Sequence, residues 1–316
     1  MRSQKTVSGT EPDARPLEDF AALNGDNLKA IALLAAAMAL FALDDMFIKL
    51  ASSDVGVGQI VAIQNGFGIA YFAWLAKAHG KRVTRDALFS GPILLRHIGE
   101  TTGVICFVSA LALMPISDAS AILQASPLVV VFGAALFLRE TVGWRRWAAL
   151  LVGFAGVLLV LRPGMSGFDA KTLLPVGAAI GFAMRDLGTR AAPRTVSTEA
   201  IALVASVLVF LAAILLQTLS SPWSWMSPRT TGYVLAASAV GIIAFHLMMI
   251  ALRMGQLSVV APFRYVRIVC AMAIGVVVFA ERPDVATIGG SILIVASGLY
   301  TLYREQVIRN RRIRGS

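Results

Sequence analysis

The sequence predicts an all-α membrane protein of ten transmembrane helices in two inverted five-helix repeats. Three observations predict it. The chain is 57% hydrophobic and 15% charged, with a mean hydropathy of +0.76, outside the range of a water-soluble domain. Apolar stretches long enough to cross a ~30 Å hydrocarbon layer as helix recur along it. A shift of 141 positions, Asp45 to Asp186, lays one half on the other without a gap. Phe41-Ala42-Leu43-Asp44-Asp45-Met46 then falls on Phe182-Ala183-Met184-Arg185-Asp186-Leu187, Ala110-Leu111 on Ala251-Leu252, Ser117 on Ser258, Glu140 on Glu281 and Ala155 on Ala296. Five spans per repeat is odd, so the second repeat enters the membrane from the opposite side to the first.

Residues 1–26 are polar, rich in acids and bases from Arg2 to Asp19, and read as a disordered cytoplasmic tail. They lack the apolar core of a secretory signal. The first span, 28–50, carries Asp44 and Asp45, with Phe41, Asp45 and Ile48 on one helix face. The second is 57–77. The third, 92–113, opens with Arg96, His97 and Glu100, Arg96 and Glu100 lying one turn apart. Gln124 and Pro127 fall in the fourth, 117–138, which leads to Arg139-Glu140. After the fifth, 143–161, the sixth, 171–191, has Pro175 near its start and Arg185-Asp186 within it. The seventh is 199–219, and the eighth, 230–253, contains His246. Pro262, Arg264, Tyr265 and Arg267 occupy the ninth, 257–279, which leads to Glu281-Arg282; the tenth is 284–303. The repeats are therefore expected at 27–162 and 163–305. A basic tail, 306–316, suits anionic lipid headgroups. In-span prolines delete a backbone donor and bend helices, and Gly99-x-x-x-Gly103 and Gly177-x-x-x-Gly181 allow close packing.

The net charge of +10 does not mark a nucleic-acid partner. With the N-terminus inside, nineteen of the 28 Lys and Arg fall on the cytoplasmic side. This bias places both termini in the cytoplasm. Cys106 and Cys270 are not related by the repeat, and nothing in the sequence requires them to pair. There is no P-loop, no dinucleotide fingerprint and no metal or cofactor site. Gly164-Met165-Ser166-Gly167 lies in a loop far from any in-span histidine, and three histidines in all are too few for a di-iron site around His97-x-x-Glu100.

Charged side chains at mid-bilayer cost ~2.5–3.5 kcal/mol each on insertion scales, so each needs a partner or a wet cavity. Asp44 and Arg185 occupy equivalent places with opposite sign, which suggests an Asp44–Arg185 pair if the first and sixth spans meet. Asp45 and Asp186 would then face Arg264, Arg267, His246 or a proton. The charges could simply join helices as ion pairs. A bundle built only for stability does better with apolar contacts, so the cluster on spans one, three, six and nine reads as the lining of a pathway. Glu140 and Glu281, at membrane-edge positions beside Arg139 and Arg282, suit either a cap or a gate ion pair, and the structural role is the expected one.

These residues resemble the drug/metabolite transporter superfamily, specifically EamA-type carriers, over about residues 28–305. Ser117-Asp118-Ala119-Ser120 through Leu138-Arg139-Glu140, and the stretches after Glu140 and Glu281, carry the likeness. Asp45, Gly181-Phe182-Ala183-Met184-x-Asp186 and Ala261-Pro262-Phe263-Arg264-Tyr265 are similar to a bacterial branch that includes S-adenosylmethionine carriers. Riboflavin carriers and amino-acid exporters share the wider family. The resemblance implies helices around a central cavity formed by both halves, with alternating access. One departure is Arg267, where that branch has an acid; a base there disfavours a sulfonium cation and suits an anion.

The expected function is secondary transport of a small amino-acid-like, zwitterionic or anionic metabolite across a bacterial inner membrane. S-adenosylmethionine or riboflavin uptake is the alternative within the class, and an intramembrane enzyme or a non-transporting sensor the alternative outside it. Arg264, Arg267, Tyr265, Phe182, Phe41, Gln124 and His246 are expected to bind substrate. Asp44, Asp45, Arg185, Asp186, Arg96, His97 and Glu100 are expected to couple a proton or form ion pairs.

Overall fold

The computed structural model describes residues 15–137, 143–162, 170–193, 196–254 and 257–314. These form helices, with no strand among the described residues. In chain order they are α1 (Arg15–Ala51), α2 (Val57–Ala78), α3 (Gly91–Leu113), α4 (Ile116–Leu123 and Ser126–Phe137), α5 (Trp144–Leu161), α6 (Leu174–Ala191), α7 (Thr198–Ser220), α8 (Pro228–Met254), α9 and α10 (Val285–Arg314). Helix α9 is composite: Leu257–Val260, a 3₁₀ turn Ala261–Tyr265, then Val266–Phe279. Eight of these are long and apolar enough to span a membrane. The other two are α2, which carries Gln59, Gln64, Asn65 and Lys77, and α6, which carries Arg185, Asp186 and Arg190. Polar residues lower their hydropathy while both remain packed within the bundle.

Two boundaries differ from the sequence reading. Helix α1 reaches back to Arg15, into the stretch read as tail, and α10 runs on to Arg314, into the basic end. The α10 extension has no Pro or Gly before Gly315, and the α1 extension has Pro16 in its first turn, where proline is tolerated, and a single Gly25. Residues 1–14, Arg139-Glu140 and Gly164–Gly167 lie outside the described residues.

The packing partners carry the duplication into three dimensions. Helix α1 packs on α8 as its counterpart α6 packs on α3, and α1 meets α9 as α6 meets α4. Helices α2 and α7, equivalent to each other, pair directly, as do α5 and α10. The two repeats are thus interlocked across a pseudo-two-fold axis.

Small residues set the closest crossing. A Cβ on Gly99 would lie 2.5 Å from Gly181 O, and one on Gly181 would lie 2.6 Å from Gly103 N. Only glycine permits α3 and α6 to approach so closely. That contact brings Phe182, Arg185 and Asp186 beside Arg96 and Glu100. Cys106 and Cys270 are free thiols.

Both breaks fall at equivalent places. Helix α4 is interrupted at Gln124–Ala125, and α9 tightens into its 3₁₀ turn through Tyr265, the equivalent of Gln124. Pro127 and Pro262 are each the second residue of the piece they enter, where a missing N–H leaves no bond unmade.

Candidate functional site

Between the repeats lies a cavity of about 330 Å³. Charged groups reach it from four helices: Asp44 and Asp45 of α1, Arg96 and Glu100 of α3, Arg185 and Asp186 of α6, and Arg264 and Arg267 of α9. The four acids and four arginines balance in formal charge. Phe41, Phe107 and Phe182 supply aromatic walls, and Gln64, Asn65, Gln124 and Ser238 supply neutral polar ones.

The pairing is uneven. Arg267 grips Asp45 in a bidentate fork, Nη2 to Oδ1 at 2.7 Å and Nε to Oδ2 at 3.1 Å. Its guanidinium lies 5.3 Å from the Phe41 ring centre and 5.1 Å from that of Phe107. Asp45 itself is buried. Such a fork, flanked by rings and out of water, is the strongest form of this contact.

Arg185 donates from Nε to Asp186 Oδ1 at 2.9 Å, stands 3.6 Å from Glu100 and lies over the Phe182 ring at 4.6 Å. Two other arginines are held loosely. Arg264 meets Asp186 at 3.7 Å and Arg96 meets Glu100 at 3.7 Å, beyond hydrogen-bond length. Arg96 Nη1 is buried without a partner.

The expected Asp44–Arg185 pair does not form. Helix α1 packs on α8 and α9 rather than on α6, so equivalent positions are not adjacent. Asp44 accepts instead from Gln64 Nε2 at 2.9 Å. It lies against Gly241, where a Cβ would stand 3.3 Å from Oδ2.

Two histidines read from sequence as site residues are elsewhere. His97 donates from Nε2 to the Ala87 carbonyl at 3.0 Å, in the short helical segment Asp86–Phe89 before α3. It sits next to Arg96 in sequence but about 100° around the helix. His246 shares a 2.6 Å hydrogen bond with Tyr71 between α8 and α2, outside the cavity lining.

Tyr265 lines the cavity, yet its hydroxyl is buried without a partner, packed on Gly298. Gln124 donates from Nε2 to the Arg264 carbonyl at 3.0 Å, tying the two helix breaks together.

Gln64, Asn65 and Ser238 were not singled out from the sequence. Their signal was present: neutral polar side chains inside apolar spans obey the same rule as charged ones.

One end of the bundle is laced by a second set of polar contacts. Glu281 accepts from Ile116 N at 2.7 Å, Ser117 N at 3.1 Å and Ser117 Oγ at 2.6 Å, capping α4. Lys49 donates to the Leu111 and Met114 carbonyls at 3.0 and 2.5 Å, closing the end of α3. Asp284 caps α10 by accepting from Thr287 N at 2.9 Å and pairs with Arg162. That backbone hydrogen bond, then the Arg162 contact, holds its carboxyl below the usual carboxylate range. Glu281 thus has the capping role expected of it. A smaller polar pocket of about 310 Å³ opens beside Asp118, Arg162 and Asp284.

The EamA-like transporter family model matches residues 28–162 and again 171–303. An S-adenosylmethionine uptake transporter of Rickettsia felis is 29% identical over 244 residues, 74% of this chain and 79% of that protein. A riboflavin transporter of Vibrio cholerae is 27% identical over 90% of this chain and 96% of its own length. A pseudopaline exporter of Pseudomonas aeruginosa is 28% identical over 86% and 95%. With nearly all its spans matched in two consecutive copies, the chain belongs to the EamA-like transporter family.

Proposed function

We propose that this multi-pass membrane protein carries a small amino-acid-like zwitterion across the bacterial inner membrane by alternating access between its two repeats. The observation that carries the reading is the balanced set of four acids and four arginines around an aromatic-walled cavity. A neutral but strongly polar site favours a solute that brings both signs of charge. Arg264 and Arg96, with their loose ion pairs, hold donors free for a carboxylate. Phe182 and the flanking rings pack the solute body. Arg267 is spent on Asp45 and acts as a strut.

That pairing bears on substrate choice. Read alone, Arg267 argued against a sulfonium cation; neutralised by Asp45, it no longer does. The likeness to an S-adenosylmethionine uptake transporter supports that solute as one member of the class. The excess of Lys and Arg on one side of the bundle supports cytoplasmic termini.

The test is flux into proteoliposomes of radiolabelled methionine, S-adenosylmethionine and riboflavin. A zwitterion should accumulate above protein-free vesicles, and Arg264→Ala should lower the rate at least ~10-fold, as expected for a charge-assisted contact. Accumulation of none of them, with no thermal shift of the purified protein by any, would reject the reading.

A further inference from the structure

The two neighbouring acids of α1 face the same cavity but are held differently. Asp45 is clamped by Arg267 through both oxygens. Asp44 has one neutral donor, Gln64, on Oδ1. Among the described residues no donor reaches its Oδ2 and no cation pairs with either oxygen. We infer that Asp44 is an exchange site, binding either a proton or the cationic group of the solute, never both.

The surroundings are compatible with both occupants. On its own helix Asp44 faces Asp45, whose negative charge Arg267 of α9 cancels. From α2 come neutral Gln64 and Asn65, and from α8 neutral Ser238 and Gly241. His246 of α8 is turned to Tyr71. Arg96 and Glu100 of α3, Arg185 and Asp186 of α6 and Arg264 of α9 stand in ion pairs with one another, those of Arg96 and Arg264 loose, and none pairs with Asp44. Removing Asp44's charge leaves the cavity with one uncompensated positive charge. A solute ammonium or sulfonium would meet repulsion while Asp44 is protonated and attraction once it is not. In the exchange the Asp44 O–H bond breaks, its proton passes to water, and the carboxylate pairs with the incoming cation. Binding is then linked to pH, weakening up to tenfold per unit on the acid side. The inference rests on the transporter reading for its role, though not for its chemistry.

The experiment is infrared titration of the purified protein in lipid, following the carboxylic-acid C=O band, with S-adenosylmethionine as the cationic probe. The difference spectrum, wild type minus Asp44→Asn, cancels the other carboxyls and should show a band that grows in acid; Asp284→Asn, a loop variant, should keep it. Adding the probe in acid should bleach the band and release a proton, seen with a pH dye. A difference spectrum without a titrating band overturns the proposal, as does a band that the bound probe leaves unchanged. Gln64→Leu keeps the carboxyl and removes its donor, so the band's midpoint should move upward; an unmoved midpoint also overturns it. This variant decides the matter if Asp44→Asn fails to fold. Flux that keeps its wild-type pH dependence in Asp44→Asn rejects the exchange alone. Absence of flux from every vesicle, with the band still lost in Asp44→Asn, rejects the transporter reading and leaves the proton site.

Discussion

The same two positions have been put to different use in the two repeats. In the first, Asp44-Asp45 sends one acid across the bundle to Arg267 of the other repeat. In the second, Arg185 and Asp186 bond each other most closely and meet Glu100 and Arg264 only at longer range. One copy holds the halves together, and the other assembles charge around the cavity. Duplication supplied two identical backbone sites, and side-chain chemistry separated their tasks.

The largest expected effect comes from breaking the first of these. Asp45→Asn strands Arg267 in a buried, ring-lined slot, which should cost about 3–5 kcal/mol of stability. Asp186→Asn leaves Arg185 with Glu100 and should cost about 1–3 kcal/mol. Unfolding of both variants in mixed micelles, read by tryptophan fluorescence, ranks them; equal losses would erase the distinction between the repeats.

A second equivalent pair sharpens it further. Gln124 makes a hydrogen bond to the Arg264 carbonyl, whereas the Tyr265 hydroxyl at the matching position makes none. Gln124→Ala should lose about 1 kcal/mol and Tyr265→Phe less than about 0.5 kcal/mol in the same assay.

The smallest effect sits at the helix starts. Asp284 caps α10, but its equivalent, Gly143, begins α5 with no side-chain cap. Asp284→Ala should cost about 1 kcal/mol and Gly143→Asp should gain a few tenths. Because the folded carboxyl of Asp284 is held below its ordinary range, its contribution is present above the unfolded value. It fades as pH falls through the folded one. Thermal melts of wild type and Asp284→Ala should therefore converge in acid.

The architecture was legible because a repeat of apolar spans leaves little freedom: length sets the crossing, and an odd count sets the inversion. Asp45, Arg264 and Arg267 stand out in the sequence because ionised groups in apolar spans are costly, and all three line the cavity. Their partners were not legible. The expected Asp44–Arg185 pair assumed that equivalent helices touch, and the packing of α1 on α8 separates them. His97 and His246 lie outside the cavity lining because depth in a span does not say which face a side chain takes. Gln64 and Asn65 escaped notice through having no charge. Their helix falls short of a strongly apolar span for the same reason that it serves the cavity.

The pairing of α1 with α8 and of α3 with α6 has a consequence for biosynthesis. When the ribosome has completed α5, Asp45 still lacks Arg267, the α3 glycines lack α6, and α4 lacks the Glu281 cap. The first five helices then lack the partners on which much of the finished bundle's packing rests. Those contacts close only when the helices of the second repeat are in place.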